Sequence, residues 1–324
     1  MSLQVSSSPH IRDNSTSQRI MLDVTIALLP TLLASIYFFG ERVLFVTIVA
    51  VLSAVGFEYL SRVVMKRYNS ISDLSAVVTG LLLALNLPPT APFWLPVVGS
   101  FVAIVIVKQM FGGIGNNFVN PAMAARVVLM LSFPVAMTKW VVAPNGHIPF
   151  GGAAGGGVDL IATATPLLQL QTGAVKGGWD TYLQLFIGNK GGCIGEVSIL
   201  ALLAGAIYLL VRKVISIHIP LFYIGTVGIM MILLGQDPLI HIFAGGLMLG
   251  AVFMATDYVT SPLSIKGKII YAVGCGLITS LIRVFGGMTE GVSFSILLMN
   301  ILTPHIDSWT NPVPLGGGVV RAKG

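Results

Sequence analysis

A chain of 324 residues that is 55% hydrophobic, only 9% charged and has a mean hydropathy of +0.90 is not a soluble domain, in which about a quarter of residues carry charge. It reads as an integral membrane protein. The net charge of +6 is spread over short loops between apolar runs, which argues against a nucleic-acid binder. The first apolar run follows a polar arm and lacks a small-residue cleavage site, which argues against a secretory signal peptide.

In chain order, a polar N-terminal arm (1–21) leads into ten apolar segments near the length needed to cross a bilayer, about 20 residues each. They cover 22–39, 43–64, 73–87, 92–110 and 118–138, then 196–212, 217–235, 239–256, 268–285 and 291–303. The third and the last are short. Between the two sets lies the only long polar segment, 139–195, and a tail of 304–324 closes the chain. The expected fold is therefore an all-α integral membrane protein of ten transmembrane helices. With the N-terminus inside, twelve Lys and Arg fall on the inner side and five on the outer, with Arg126 inside a span. By the positive-inside rule both termini are cytoplasmic and 139–195 is extracytoplasmic.

The two sets resemble each other. Gly80-Leu-Leu-Leu-Ala-Leu-Asn-Leu-Pro-Pro-Thr-Ala-Pro92 aligns with Gly250-Ala-Val-Phe-Met-Ala-Thr-Asp-Tyr-Val-Thr-Ser-Pro262, and Phe111-Gly-Gly113 recurs as Phe285-Gly-Gly287. An odd number of spans per half makes 22–138 and 196–303 two inverted five-helix repeats with broken helices. The broken stretches, 86–92 and 256–262, are expected to meet near mid-membrane, where non-helical backbone survives only inside protein or along a cavity. Topology alone suggests a flavin-free channel or secondary transporter.

Several polar residues stand out against this background. Arg126 follows Asn120-Pro121 in the fifth span, where a charge is costly and functional by default, unless it snorkels to the interface. Asp23 and Glu58 lie at or within spans, and Asp257 falls at a broken-helix position, a candidate for an ion pathway. The five histidines show no metal-ligand spacing. Cys193 and Cys275 are too few for an iron–sulfur cluster, which takes four thiolates, and Cys193 is expected at the accessible end of the outer loop. No Gly-x-Gly-x-x-Gly opens a βαβ unit, so nicotinamide chemistry belongs elsewhere.

Three stretches carry a family resemblance: "SSSPHIRDNSTSQRIMLDVTIALLP" (6–30), "FGGIGNNFVNPAMAARVVLM" (111–130) and "ATATPLLQLQTG" (162–173). With the number and order of spans, they resemble the D subunits of the Rnf ion-translocating ferredoxin–NAD oxidoreductase complexes and their homologues, the B subunits of the sodium-pumping quinone reductases. The resemblance implies FMN bound through its phosphate to a threonine hydroxyl in a motif like Asp-x-x-Ser/Thr-Gly/Ser-Ala-Thr. Asp159 and Ala164-Thr165 match that motif, while Ala162 and Thr163 depart from it. Thr165 is the expected acceptor and Thr163 the neighbouring alternative, with Asn120 and Arg126 as further cofactor contacts. The resemblance also implies a second, non-covalent flavin (riboflavin). The partners it implies are the A, B, C, E and G subunits of an Rnf complex, a flavin transferase and membrane lipid, with no nucleic acid. The expected place is a bacterial inner membrane, where the complex moves Na+ or H+ while passing electrons between ferredoxin and NAD.

Overall fold

The computed structural model describes residues 16–68, 70–142, 161–162, 165–171, 178–188, 191–286 and 291–310. Its helices are α1 (Ser17–Phe39), α2 (Glu41–Val64), α3 (Ser75–Leu85), α4 (Trp94–Gln109), α5 (Pro121–Ser132) and α6 (Pro134–Met137). These are followed by α7 (Pro166–Gln171), α8 (Trp179–Ile187), α9 (Ile199–Val211), α10 (His218–Leu233) and α11 (Pro238–Phe243). The last are α12 (Leu247–Leu249, continued by a π turn Gly250–Met254), α13 (Ile265–Phe285) and α14 (Val292–Thr310). A two-residue ladder, Val141–Val142 against Ile161–Ala162, is the only strand pairing among the described residues.

Local chemistry sets most boundaries. Thr16 caps α1 by accepting from the Arg19 amide, so the helix starts before the apolar run at 22. At its far end Gly40, with φ of 84°, turns the chain directly into α2. Asn120-Pro121 and Asp237-Pro238 repeat one device. The carboxamide or carboxylate accepts two first-turn amides, and proline takes the position whose N–H would go unused. Past the expected end at 303, α14 runs on through Pro304 to Thr310.

Among the described residues three helices, α1, α2 and α13, are each long and apolar enough to cross a bilayer alone. The others are shorter, and α3, at 11 residues, spans about 16 Å of a core about 30 Å thick. It stops at Asn86, whose amide folds back onto Leu82 O at 2.7 Å, and Pro88 and Pro89 follow. The eighth expected span also breaks, at 244–246, between α11 and α12. Gly245 there has φ of 70°, a conformation that favours glycine.

The helices bury polar side chains and turn apolar ones outward. Leu33, Tyr37, Leu52, Val211 and Leu233 are each more than 60% exposed, while Glu58, Lys108, Arg126 and Arg283 are each 2% exposed or less. A molecule with its apolar face outward and its charges inside is built for lipid. In packing, α2 lies against α3 and α4, and α4 against α5; α10 lies against α11 and α13, and α13 against α14. Across the two sets, α1 packs on α9 and α5 on α14. Gly205 permits the first of these crossings, since a Cβ there would sit 2.2 Å from Ala27 O; small residues at such interfaces let backbones approach.

Candidate functional site

The broken helices converge on one buried cluster. Asn86, at the end of α3, reaches Met254 Sδ at the end of the π turn at 3.5 Å, so the breaks do meet. The meeting uses the helix ends rather than the 256–262 stretch. Arg126 on α5 lies between them and is 2% exposed, which rules out snorkelling. Its Nη1 donates to Asn86 Oδ1 at 2.5 Å, and its Nη2 faces Cys193 Sγ at 3.3 Å and Glu196 Oε1 at 3.5 Å. A guanidinium suits the end of α3, because C-terminal carbonyls carry partial negative charge.

Cys193 and Glu196 flank the boundary between the expected outer loop and the sixth span. Residues 191–196 fold back into the bundle: the Ile194 amide donates to Leu87 O at 2.9 Å, and Ser35 Oγ donates to Ile194 O at 2.5 Å. Gly195 packs so closely that a Cβ would meet Leu85 Cβ at 2.8 Å. The expectation of an accessible Cys193 is therefore wrong, as the thiol is fully buried. Hydropathy misses this because the segment's polar groups are satisfied by tertiary partners rather than by water.

A second site opens at the opposite end of α3. Residues from α1, α3, α5, α9 and the 256–259 stretch line a cleft of about 790 Å³, part of it open to solvent. Ile20, Val24, Leu82 and Phe253 supply apolar wall, while Asn117, Thr256 and Asp257 supply polar groups. Asn120 lines it too, but its side chain is committed, capping α5 and donating to Met254 O at 3.2 Å. The Asp257 carboxylate accepts from Thr260 Oγ1 at 3.2 Å and from the Val259 amide at 3.5 Å.

At the base of the cleft lies an ion pair that sequence reasoning missed. Lys108 Nζ meets Glu58 Oε2 at 2.6 Å and Ser75 Oγ at 2.6 Å, and Ser70 Oγ donates to Glu58 Oε1 at 2.6 Å. The charge count above takes Lys108 as an inner charge. Arg42 and Arg283, counted outside, are buried as well, so the count treats three internal charges as loop charges. Near the N-terminal end of α1 and the C-terminal end of α9, Asp23 accepts from Tyr208 Oη at 2.9 Å and Arg212 Nη2 at 3.2 Å.

Of the expected flavin motif, Asp159, Thr163 and Ala164 lie outside the described residues. Thr165 is described and is 8% exposed, immediately before α7. Leu167 on that helix packs with Leu185 of α8 and with Ile240 and Ala244 around α11. Thr165 is thus held beside the α11–α12 break. Next to it is a buried group fit for an added ligand: His241 on α11 is 4% exposed, and neither ring nitrogen has a hydrogen-bond partner among the described residues. The cleft offers a similar sign, since the buried Asn117 Oδ1 lacks a donor among them. Among the described residues no group of three His, Cys, Asp or Glu could hold a metal ion.

The chain belongs to the NQR2, RnfD, RnfE family, whose model matches residues 4–316. It is 50% identical over 312 residues to the D subunit of the Na(+)-translocating ferredoxin:NAD(+) oxidoreductase complex of Acetobacterium woodii, covering 96% of this chain and 94% of that protein. It is 44% identical to the D subunit of the proton-translocating ferredoxin:NAD(+) oxidoreductase complex of Clostridium ljungdahlii, covering 96% of each. Against the D subunit of the ion-translocating oxidoreductase complex of Stutzerimonas stutzeri the identity is 41%, with 93% of each chain covered.

Proposed function

We propose that this member of the NQR2, RnfD, RnfE family is the flavin-carrying membrane subunit of an Rnf complex, coupling electron transfer between ferredoxin and NAD to the movement of Na+ or H+. The observation that carries the reading is the end-to-end similarity to three D subunits named for that work. The subunit is one part of an oxidoreductase complex and acts with the other Rnf subunits. A bacterial inner membrane is its proposed place.

We further propose that Thr165 Oγ carries FMN as a phosphoester, placed there by a flavin transferase, and that riboflavin occupies the cleft beside α3. When bound, flavin supplies the electron transfer. This chain's residues supply position and surroundings. Beside Thr165, α7 is held by Leu167, and the His241 ring on α11, unpartnered among the described residues, favours a polar ligand. In the cleft, Asn117 can accept from a ring N–H while Leu82 and Phe253 cover an apolar face. Arg126 and Asn120, expected as direct flavin contacts, fit better as residues that fix the broken helices. Mass spectrometry of the peptide containing Thr165 tests the central claim: an unmodified peptide, with no flavin absorbance in the denatured complex, would return the chain to the channel or transporter reading.

The paired contacts support two inverted five-helix repeats: α2 with α4 and α4 with α5 have counterparts in α10 with α13 and α13 with α14, while α1–α9 and α5–α14 join like to like. On this reading Ser17 and Thr310 lie on the cytoplasmic face, and Thr165 with Lys139 on the outer one. A reporter active only outside the cytoplasm should stay silent when fused after Gly324; activity there would invert the orientation.

Asp257 is proposed as a station on the ion path, because it faces the cleft at a helix break. Asp257→Asn keeps the size and removes the charge. Ion transport coupled to ferredoxin oxidation should fall at least tenfold, about 1.4 kcal/mol or more on the barrier, while FMN remains on Thr165. Normal coupled transport would reduce Asp257 to a helix-end residue.

A further inference from the structure

Three cations gather where α2 ends. Lys66, with φ of 52°, turns the chain back so that the Arg67 amide donates to Arg62 O at 3.0 Å. Arg67 then reaches across to α4, its Nη1 donating to Gln109 O at 3.3 Å. Arg62 packs against the loop that follows α4. A Cβ on Gly113 would overlap the Arg62 guanidinium, and Gly113 has φ of 100°. Only glycine both adopts that conformation freely and leaves room for the charge.

The Arg62 guanidinium lacks partners. The residue is 9% exposed, its Nε is sealed without an acceptor, and among the described residues it forms no ion pair and no side-chain hydrogen bond. A buried charge in that state is costly. Snorkelling would end in open water, whereas this side chain is almost wholly covered. The C-termini of α2 and α4 each carry about half a negative charge, too little to offset three cations. The nearby carboxylates are engaged: Glu58 holds Lys108, and Asp73 accepts from the Ser75 amide and hydroxyl. Lys66 and Arg67 are exposed and solvated, so Arg62 is the group that needs an anion, and its two neighbours add to the field that draws one in.

The surroundings favour one kind of anion. Val63 and Val64 on α2, with Met110, Phe111 and Phe118 after α4, are each between 48% and 72% exposed, and the last two rings pack with centroids 4.7 Å apart. An apolar rim beside a basic recess suits hydrocarbon with a headgroup above it; an acidic soluble protein would leave that rim unused. We infer that Arg62, aided by Lys66 and Arg67, binds the phosphate of an anionic phospholipid whose chains lie along this rim, the guanidinium fork donating to its two non-bridging oxygens. A net-negative headgroup is preferred over a zwitterionic one, whose ammonium would meet the same cations. The site stands whether or not Thr165 carries flavin.

The test is the melting temperature of the purified complex in vesicles of phosphatidylcholine alone, with phosphatidylglycerol added, or with inorganic phosphate added. Phosphatidylglycerol should raise it for the native chain. Arg62→Gln should remove most of that gain, and Arg62→Lys much of it, because a point charge replaces the fork. Arg67→Gln and Lys66→Gln should each remove part of it; both residues are exposed, so these two variants decide the matter if Arg62→Gln fails to assemble. Lys266→Gln, at the exposed start of α13, should leave the gain intact, which separates a site from general attraction between charge and membrane. Equal gains in all variants, or no gain in the native chain, would overturn the proposal. The same gain from inorganic phosphate would overturn it in favour of a soluble phosphate ligand. Loss of a subunit from the Arg67→Gln complex in phosphatidylcholine alone would overturn it in favour of an acidic partner protein.

Discussion

Thr165→Val is expected to abolish the covalent flavin fluorescence of this subunit on a denaturing gel. Valine keeps the β-branched shape, so α7 should still pack through Leu167 against α11. What disappears is the oxygen that forms the bond to phosphorus. The effect should be all or none rather than graded, because the tether is covalent and denaturation removes every non-covalent flavin. Thr163→Val gives the register control. If fluorescence persists in Thr165→Val and is lost in Thr163→Val, the acceptor moves two residues upstream. Fluorescence that survives the double substitution would remove covalent FMN from both threonines.

The second large effect concerns stability. Glu58 and Lys108 form a buried pair at 2.6 Å, with side chains 0% and 2% exposed. Glu58→Leu would leave the Lys108 ammonium among apolar helices, held by its bond to Ser75. Breaking one side of such a pair costs about 3–5 kcal/mol, whereas replacing both sides by apolar residues is often neutral. Glu58→Leu should therefore sharply lower the melting temperature in detergent, and Glu58→Leu with Lys108→Met should recover most of the loss. A double variant as unstable as the single one would mean that Glu58 acts through packing or through its Ser70 bond. Because Lys108 also lines the cleft, flavin content of the stable double variant reports whether the ammonium contributes to a ligand as well.

Much of the architecture was legible in the chain itself. All ten apolar segments contain helix. The Gly80 and Gly250 stretches both run into helix breaks. Other features were misjudged for identifiable reasons. Hydropathy averages over a window, so it could not see that the eighth segment breaks at Gly245 or that 191–196 turns inward. Charge counting treats every Lys and Arg as solvated, and so it misread Lys108, Arg42 and Arg283, all of which are buried. Of the residues expected around the flavin, Thr165 is buried just before α7, while Asp159, Thr163 and Ala164 lie outside the described residues.

The sequence by itself determined the solvent and the approximate spans, and it holds the capping residues that set the helix starts. Each of these depends on residues within one or two turns of each other, or on composition alone: apolar side chains partition into lipid, and a capping oxygen reaches amides only two or three residues away. Only the tertiary structure decided which groups neutralise the buried charges. Arg126 finds Asn86 and Glu196, 40 and 70 residues distant, and Lys108 finds Glu58 at a separation of 50. A charge in a low-dielectric interior must be paired, but any of several partners would satisfy that demand. The choice falls to whichever broken helix end or facing turn the packing of α1 on α9 and α5 on α14 brings within about 3 Å, and no local pattern encodes that distance.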